Sequence, residues 1–518
     1  MIASVHTFAS VDPAFFNSAE PPQFDGLVHD TLVTFDHTGG ASGLRLVPDL
    51  ASTLPTPTDG GRTYTFGLRP GIRYSNATPL RATDFRRAIE RLFRAGSPGT
   101  GFYTSILGAA GCARRPSRCA LSRGIVTDDA AGTVVFHLTA PDPAFLYELT
   151  EQDYTAPVPA DTPNHDNGLN PIPGTGPYRI VRADRTGVYF ARNPFFREWS
   201  HAAQPNGSPD MIEWRYLPSQ HVAATAVRRD RADWLAGLIP QADYRVLAIQ
   251  SPAQLHTNPL FAVEFFALNT HLAPFNNVLA REALNYAIDR RVIARMYGGP
   301  AFATPTCQPL ASGLPGYRRY CPYSAYPGPG GSYNGPDISY AKRLVAKSGT
   351  RGEHVGVLGS PNEGYIPPGV AAYAAGVLRS LGYRATLHLV PFALITNAVY
   401  PRFQVDTTGD WLADYPDPSS YIPLFFSCNG GNSNGFVCDP ALDREMQKAV
   451  SLELEAPAAA NTLWTTVDHT LTTQADWVPT VNVRQVDLVS KRLGNYQFNP
   501  AWGFLADQSW VRYPGHNP

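Results

Sequence analysis

Apolar and small polar residues alternate over 63–68, which is the period of a strand that buries one of its two faces. Arg-Pro-Gly follows at 69–71 with turn chemistry, since proline presets φ and glycine accepts positive φ. Thr83 is a candidate N-cap for a helix, and Gly96 is its candidate end. The apolar face of that helix consists of Phe85, Ala88, Ile89, Leu92 and Phe93. The segment is predicted to fold as strand, turn and capped helix, which by periodicity alone fits any α/β protein.

A second set of patterns predicts a βαβ unit further along the chain. Asp337 is a candidate cap for a helix that ends at Gly349. A strand at 355–358, a helix at 370–381 and a strand at 384–390 are predicted to follow it. Strands joined by a crossover helix pair in parallel, so this part of the chain is predicted to contain a parallel sheet.

Length and charge restrict the class of protein. A chain of 518 residues is too long for one hydrophobic core and should divide into two or three lobes. The net charge is −1 and no basic stripe is present, so nothing indicates a nucleic acid or an acidic membrane surface as a partner. No apolar run approaches the length of a bilayer span.

The six cysteines fall into pairs that are close in sequence and enclose loops rich in Pro, Gly, Arg or Asn. An even number in such pairs favours disulfides formed in an oxidising compartment, with buried or free thiols as the alternative. Zinc is disfavoured because no pair has the two-to-four-residue spacing of a zinc knuckle, and the histidines lie singly. We therefore predict no metal site and no cofactor. The predicted pairs are Cys112 with Cys119, Cys307 with Cys321, and Cys428 with Cys438.

Several motifs together resemble the peptide/nickel family of solute-binding proteins, which is solute-binding protein family 5. They include Thr-Tyr-Thr-Phe-Gly-Leu-Arg-Pro-Gly, Gly-Thr-Gly-Pro-Tyr and Asp-Trp-Leu-Ala-Asp-Tyr-Pro-Asp-Pro, and the resemblance covers nearly the whole chain. It implies an α/β, two-lobed periplasmic-binding-protein-like fold of type II or cluster C, with mixed sheets, a hinge and an extra subdomain in the first lobe. The matching segments lie at 48–51, 63–71, 78–85, 173–180, 265–290 and 410–418.

The resemblance also implies how the chain divides. We expect a discontinuous first lobe, an inserted subdomain at 45–165 and a second lobe at 268–480. The parts of the first lobe are 1–44, 166–267 and 481–518.

In peptide-binding members of the family, the aspartate that matches Asp414 holds the terminal ammonium of the ligand. The resemblance therefore implies a ligand-binding site of Trp411, Asp414, Tyr415 and Asn434, with aromatic walls beside a carboxylate. The alternative is ordinary structure, because tryptophan and tyrosine often fill cores and aspartate often caps turns. Asp410 stands where the family motif has glycine, and we expect it on a solvated face.

The predicted function is an extracellular solute-binding protein that captures a small ligand, most readily an oligopeptide, by hinge closure. It would deliver that ligand to the permease of an ABC transporter, as a monomer and without enzymatic activity. Sugars, opines and metal chelates, including nickel, stay open as ligands. A sensor domain of the same fold, attached to an upstream regulatory domain, is the main alternative. The Gly-x-Ser-x-Gly match at 431–435 formally indicates a serine hydrolase, but its loop context disfavours a nucleophile elbow.

The first residues lack the basic region and apolar core of a signal peptide. We therefore expect that a signal or lipoprotein leader, or an upstream domain, precedes this sequence. The expected location is outside the cell, attached to the envelope or in the periplasm, with the membrane contacted only through such an anchor.

Overall fold

The computed structural model describes residues 1–15, 23–326, 328–361, 366–367, 369–395, 400–430, 437–453 and 455–512. The chain forms two compact units, the first of Met1–His256 with Val486–Pro518 and the second of Thr257–Gln485. The second unit contains the whole predicted second lobe and residues on either side of it. The predicted domain bounds, including the inserted subdomain at 45–165, stay a prediction.

The helices and strands of the described residues are numbered in chain order. The strands are β1 (Ile2–Ser4), β2 (Val33–Phe35), β3 (Leu46–Pro48), β4 (Thr63–Gly67), β5 (Ile125–Asp128), β6 (Thr133–His137), β7 (Tyr178–Asp184), β8 (Gly187–Arg192), β9 (Met211–Tyr216), β10 (Trp234–Ala236), β11 (Leu255–Pro259), β12 (Ala262–Leu268), β13 (Ala303–Pro305), β14 (His354–Gly359), β15 (Arg384–Leu389), β16 (Val405–Leu412), β17 (Trp477–Leu488), β18 (Leu493–Gly494), β19 (Phe498–Asn499), β20 (Gly503–Phe504) and β21 (Trp510–Val511). The helices are α1 (Ala82–Ala95), α2 (Ala109–Arg114), α3 (Phe145–Glu148), α4 (Gln152–Thr155), α5 (Gln220–Arg228), α6 (Gln241–Gln250), α7 (Val278–Ala287), α8 (Arg290–Met296), α9 (Ile338–Ser348), α10 (Val370–Leu381), α11 (Ile422–Phe426), α12 (Pro440–Leu452) and α13 (Pro457–Gln474).

The main sheet of the first unit is mixed, with the strand order β10-β1-β9-β8-β7. β1 pairs in parallel with β9 and β10, whereas β7, β8 and β9 pair antiparallel. A smaller antiparallel sheet has the order β4-β6-β5, and α1 packs its apolar face into the same core. The strand predicted at 63–68 is thus confirmed as β4, with Tyr64 and Phe66 buried.

The helix predicted after Thr83 is confirmed as α1, and it ends at Gly96 with φ of 74°. Its N-cap was predicted wrongly, because the cap is Arg81. The backbone N–H of Arg81 donates to Asp84 Oδ2 at 2.9 Å, so the third residue of the helix closes its own first turn. The Thr83 hydroxyl instead donates to Asp129 Oδ2 at 3.1 Å.

A buried ion pair joins α1 to the start of the chain. Arg91 and Asp12 are 1% and 0% exposed, and Arg91 Nη1 donates to Asp12 Oδ1 at 2.8 Å. Arg91 Nε also donates to the carbonyl of Pro163 at 2.6 Å. With its charge paired and its donors engaged, the guanidinium can be buried without an orphaned charge.

The Gly-Thr-Gly-Pro-Tyr motif forms the turn into β7, and close backbone approach explains its glycines. A Cβ on Gly174 would lie 2.0 Å from the carbonyl oxygen of Val28, and one on Gly176 would lie 2.9 Å from it. Between them, the Thr175 hydroxyl donates to Asp30 Oδ2 at 2.5 Å. Side chains at either glycine would separate the turn from the segment it packs against.

The second unit contains a mixed sheet with the order β11-β17-β12-β16-β14-β15, to which β13 adds by pairing with β17. β14 pairs in parallel with β15 and with β16, and α10 connects β14 to β15. The predicted βαβ unit is therefore confirmed. The preceding helix is also confirmed, because the backbone N–H of Tyr340 donates to Asp337 Oδ1 at 2.8 Å and Gly349 is the C-cap of α9.

Arg290 holds the interior of the second unit together. Its side chain is 0% exposed, and Nε donates to the carbonyls of Thr306 and Pro479, each at 2.8 Å. Nη1 and Nη2 donate to the carbonyl and the side-chain oxygen of Asn285 at 2.9 and 3.0 Å. The Tyr333 ring lies 5.3 Å from the guanidinium carbon. One side chain thus satisfies buried carbonyls of β17, of the chain after β13 and of α7.

Three disulfides are present, and each joins the two cysteines that lie nearest in sequence. Cys112, Cys119, Cys307 and Cys321 are buried, whereas Cys438 is exposed. The pairs are Cys112–Cys119, Cys307–Cys321 and Cys428–Cys438.

Within the described part of the chain, none of the helices has both the length and the hydrophobicity of a bilayer span.

Replacing Arg290 by methionine should lower the free energy of unfolding of the protein by about 3 kcal/mol, because buried carbonyls lose their donors. Arg295→Met is the matched control, since Arg295 lies on the same helix and is exposed. Urea unfolding followed by tryptophan fluorescence measures both variants. Equal stability of the two would show that Arg290 does not hold this core together.

Candidate functional site

β16 runs past the end of its neighbour β14. The ladder between them pairs Val405 with Val357 and Asp406 with Leu358, and β14 ends at Gly359. On its other side β16 stays paired with β12 up to Leu412. Among the described residues of the second unit, the backbone of 409–412 therefore has a strand partner on one side only. A strand stretch with a neighbouring strand on one side only can accept an extended peptide backbone as an additional strand.

Exposure increases along this edge. Gly409 is buried, Trp411 is half-buried and Leu412 is 53% exposed. Ala413 continues the contact with the sheet, because its N–H donates to the carbonyl of Phe261 at 2.9 Å. The end of the strand is thus fixed in place, while its outer side is accessible.

Asp414 follows directly after this fixed end, and its side chain is exposed. Its carboxylate has no hydrogen bond or ion pair among the described residues. Desolvation by the surrounding protein raises the pKa of Asp414 to about 7. An accessible carboxylate without a partner is a suitable acceptor for an organic ammonium.

A cavity of about 220 Å³ lies beside the same strand, at the carboxyl ends of β14 and β15. β14, β15 and β16 follow one another along the chain, but in the sheet β15 lies on one side of β14 and β16 on the other. Such a reversal of strand order leaves a crevice at the carboxyl edge of a parallel sheet. Its lining is largely apolar with some hydroxyls, and includes Ile366, Val370, Ala372, Leu387, Leu389, Ser360, Thr407 and Thr408.

Trp411 belongs to an aromatic cluster on one face of the sheet. The centroid of its ring lies 4.9 Å from that of Phe425, and the Phe425 centroid lies 5.1 Å from that of Trp477, both in edge-to-face geometry. Trp477 in turn stacks on Phe265. Trp411 Nε1 is buried and has no hydrogen-bond acceptor among the described residues. Trp411 therefore packs in the protein and also keeps an unused donor, and its role towards a ligand stays a prediction.

Tyr415 is 6% exposed, so the structure places its side chain inside the protein. Its predicted contact with a ligand stays a prediction. Asn434 and the Gly-x-Ser-x-Gly match lie outside the described residues. The disulfide Cys428–Cys438 closes the loop that contains them.

The expectation of a solvated Asp410 was wrong. Asp410 is half-buried and lies directly opposite Glu264 in the β12–β16 ladder, so both side chains project from the same face. Desolvation, followed by the charge of Asp410, raises the pKa of Glu264 well above its usual range. A hydrogen bond from Tyr297 acts in the opposite direction. The two acids thus form a cross-strand pair. The alternation of strand residues predicts that they share a face only when the register of the two strands is known.

Two features of the site were missed from the sequence. The cavity is lined by α10 and β15, which lie in separate segments from the Asp-Trp motif, and only the strand order brings them together. Glu453, the C-cap residue of α12, lies close to Asp417 of the same motif, because the Ser419 hydroxyl contacts both carboxyl groups at 2.9 and 3.2 Å. Nothing in the sequence between 417 and 453 indicates that contact.

In the described parts of the chain, no group of three or more His, Cys, Asp or Glu side chains is placed to hold a metal ion. What the second unit offers is a strand edge, an unpaired carboxylate and a largely apolar cavity. Together they can hold an extended molecule that has an amine, a hydrogen-bonding backbone and an apolar group.

Residues 45–433 match the model of the bacterial extracellular solute-binding proteins, family 5. The match covers most of the chain, and the protein belongs to this family. The predicted family is confirmed, and with it the prediction of a solute-binding protein.

Curated relatives of known name are distant but extend over most of the chain. The glutathione-binding protein GsiB of Salmonella typhi is 23% identical over 474 residues, which cover 88% of this chain and 84% of that protein. GsiB of an Escherichia coli strain is 24% identical over 466 residues, covering 87% and 83%.

Solved structures share the fold over almost the full length. The clavulanic acid biosynthesis oligopeptide binding protein 2 has a TM-score of 0.86 at 24% identity, covering 99% of this chain and 95% of that one. The complex of Haemophilus influenzae OppA with the peptide RPPGFSPFR has a TM-score of 0.71 at 20% identity, covering 99% and 98%. DppA of Helicobacter pylori in complex with the peptide STSA has a TM-score of 0.74 at 19% identity, covering 98% and 97%. The predicted two-lobed periplasmic-binding-protein fold is confirmed.

Proposed function

We propose that this protein binds an oligopeptide in extended form along the side of β16 that faces no neighbouring strand at 409–412 among the described residues, and delivers it to an ABC transporter. The observation that carries the proposal is the strand edge at 409–412, which ends next to the unpaired carboxylate of Asp414. A peptide backbone supplies donors and acceptors at the spacing of a strand, so it can continue the sheet independently of its sequence.

Asp414 anchors the terminal ammonium of the peptide. Among the described residues the carboxylate has no partner, so an incoming ammonium does not have to displace one of them. A hydrogen bond to a charged group contributes about 1.5 to 3 kcal/mol. Ammonium binding requires the ionised carboxylate, which gives the site a dependence on pH.

The cavity beside β16 takes an apolar side chain of the peptide. Thr408 lines the cavity and Asp414 lies six positions further along the chain. At about 3.3 Å per extended residue, the two are at most about 20 Å apart. A peptide anchored at Asp414 therefore reaches the cavity within about its first six residues.

Relatives support a peptide over the other solutes of the family. GsiB is named for glutathione, and the solved structures of OppA and DppA contain peptides. We propose the same class of ligand here, because an amine anchor beside a strand edge fits a peptide better than it fits a sugar.

The chain passes between its two units within β11 and β17, and we propose that these strands form the hinge. Ligand contacts would favour a closed form over an open one, as far as the ligand binds the two forms differently. The closed monomer then docks on the permease of the transporter outside the cytoplasm, held to the envelope by an N-terminal anchor or free in the periplasm. No chemistry on the ligand is required.

Replacing Asp414 by asparagine should weaken binding of pentaalanine by about 10- to 100-fold, because the charge-assisted hydrogen bond to the ammonium is lost. Isothermal titration calorimetry measures the affinity. Glu445→Gln removes an exposed carboxylate of the same unit and should leave the affinity unchanged. N-acetyl-pentaalanine, which has no ammonium, should bind wild type and Asp414→Asn equally weakly. Unchanged affinity of Asp414→Asn for pentaalanine would falsify the amine anchor.

The affinity for pentaalanine should depend on pH with a maximum near neutrality. Asp414 has a pKa of about 7, so affinity should rise as pH increases through that value and the carboxylate ionises. Above about pH 8 the α-ammonium of the free peptide loses its proton and affinity should fall again. In Asp414→Asn the affinity should be low and nearly independent of pH on both sides of neutrality, because the ammonium no longer has a charged partner. An acidic limb that persists in the variant would mean that another group titrates.

Filling the cavity should change which peptides bind. Ala372 lines the cavity and is exposed, so Ala372→Phe should fold normally and narrow the space. In a series of pentaalanine and hexaalanine peptides with one phenylalanine at each position in turn, wild type should prefer phenylalanine at one position by about tenfold. Ala372→Phe should lose that preference and still bind the all-alanine peptides. Ser380→Phe, on an exposed part of α10, is the control. A preference that survives Ala372→Phe would place the side chain elsewhere.

A further inference from the structure

Two carboxyl groups of the second unit, Asp417 and Glu453, lie close together, because the Ser419 hydroxyl contacts both of them. Asp417 is 5% exposed and follows Asp414 by three positions, and Glu453 ends α12. Ionised carboxylates only accept hydrogen bonds, so a bond between two carboxyl groups requires a proton on one of them. Burial and the charge of Asp417 raise the pKa of Glu453 to about 10, so the pair keeps a proton at neutral pH.

Polar groups from two further sources fix this pair. Ser419 Oγ lies 2.9 Å from Asp417 Oδ1 and 3.2 Å from Glu453 Oε2. Trp464 Nε1 of α13 donates to Glu453 Oε1 at 3.0 Å. Asp417 Oδ1 also accepts the backbone N–H of Ser419 at 3.0 Å. A proton-sharing pair with this many partners has a defined geometry.

The other charged groups near the pair are exposed or are bonded elsewhere. Asp417 is therefore the group that titrates together with Glu453. On α12, Arg444, Glu445 and Lys448 are exposed, and Asp443 accepts the backbone N–H of Cys428 at 3.1 Å. On α13, Asp468 is engaged elsewhere, since it accepts from the Gln308 side chain and from the N–H of Leu310 at 2.9 Å. Trp464 and Ser419, the other groups that face Glu453, carry no proton that titrates near neutral pH.

The pair lies at the base of the segment that carries Asp414. That segment is fixed before Asp414 by the bond from Ala413 N–H to Phe261 O. After Asp414, the N–H of Asp417 donates to the carbonyl of Tyr415 at 2.7 Å. The position of Asp414 therefore depends on where Asp417 is held, and Glu453 holds it from α12.

We propose that Glu453 is a positioning residue of the ligand site, whose proton-sharing bond to Asp417 fixes the turn that presents Asp414. The role assigned to Asp414 rests on the proposed function, whereas the shared proton does not. Glu453 contacts no ligand in this proposal and acts only through Asp417.

Two substitutions at Glu453 test separately the hydrogen bond to Asp417 and the ionisable carboxyl group of the side chain. Glu453→Gln keeps a donor for Asp417 and an acceptor for Trp464, and should bind pentaalanine at neutral pH within about threefold of wild type. Glu453→Ala removes the bond and should bind about tenfold more weakly. Glu445→Gln, on the exposed side of the same helix, is the control and should match wild type.

The dependence of thermal stability on pH tests the shared proton without any ligand. The folded-state pKa of Glu453 is about 10 and its ordinary value is 4.5, so between them the folded protein binds more protons than the unfolded chain. This group therefore makes wild type progressively less stable as pH rises through that window. Glu453→Gln does not titrate, so its Tm relative to wild type should increase steadily from about pH 6 to about pH 10. Glu445→Gln should stay parallel to wild type.

The outcomes are distinguishable. A Tm difference between Glu453→Gln and wild type that does not change with pH would overturn the shared proton. Tight pentaalanine binding by Glu453→Ala would overturn the positioning role. If wild type binds no peptide at all, the proposed function and the positioning role both fall, and the stability curves still decide whether the pair shares a proton.

Discussion

The proposed ligand site depends on the point at which β14 ends. A Cβ on Gly359 would lie 2.3 Å from the Cβ of Ala371, so only glycine lets the first turn of α10 come this close to the end of the strand. Because β14 ends here and β16 continues, the strand ladder of the described residues gives 409–412 one neighbouring strand, β12. The cavity has the same origin, since it lies where α10 and β15 leave the carboxyl ends of the strands. One packing constraint thus produces both the edge and the cavity beside it.

Two carboxylates of one short segment have opposite environments. Asp414 is exposed, has no partner among the described residues and has a pKa near neutrality. Asp417 is buried, caps the following turn and shares a proton with Glu453. A carboxylate that is meant to receive a ligand has to stay accessible and unpaired, whereas one that fixes the backbone has to be buried and fully bonded. The segment meets both requirements because its two ends are held by different elements.

Local sequence patterns were sufficient to predict the helices, the strands and the family. They were not sufficient to predict contacts between segments that are distant in sequence. The periodicity of α1, the cap at Asp337 and the βαβ order were readable because each depends on neighbouring residues. The pairing of the cysteines was readable for the same reason. Asp410 was misplaced because its environment depends on Glu264 in another strand, and Glu453 was not recognised because α12 reaches Asp417 only in the folded chain. Cross-strand register and helix packing are set by the whole core, which a single sequence does not display.

Hydrogen exchange at the backbone amides of 409–412 tests the central claim most directly, with and without bound pentaalanine. If the peptide adds as a strand to β16, exchange should slow on binding at the amides of this stretch that point away from β12, because they gain hydrogen-bond acceptors and lose contact with water. The exposed edge strand β15 should show a much smaller change. Tight peptide binding with unchanged exchange at 409–412 would contradict the account, since the ligand would then be held by some other surface.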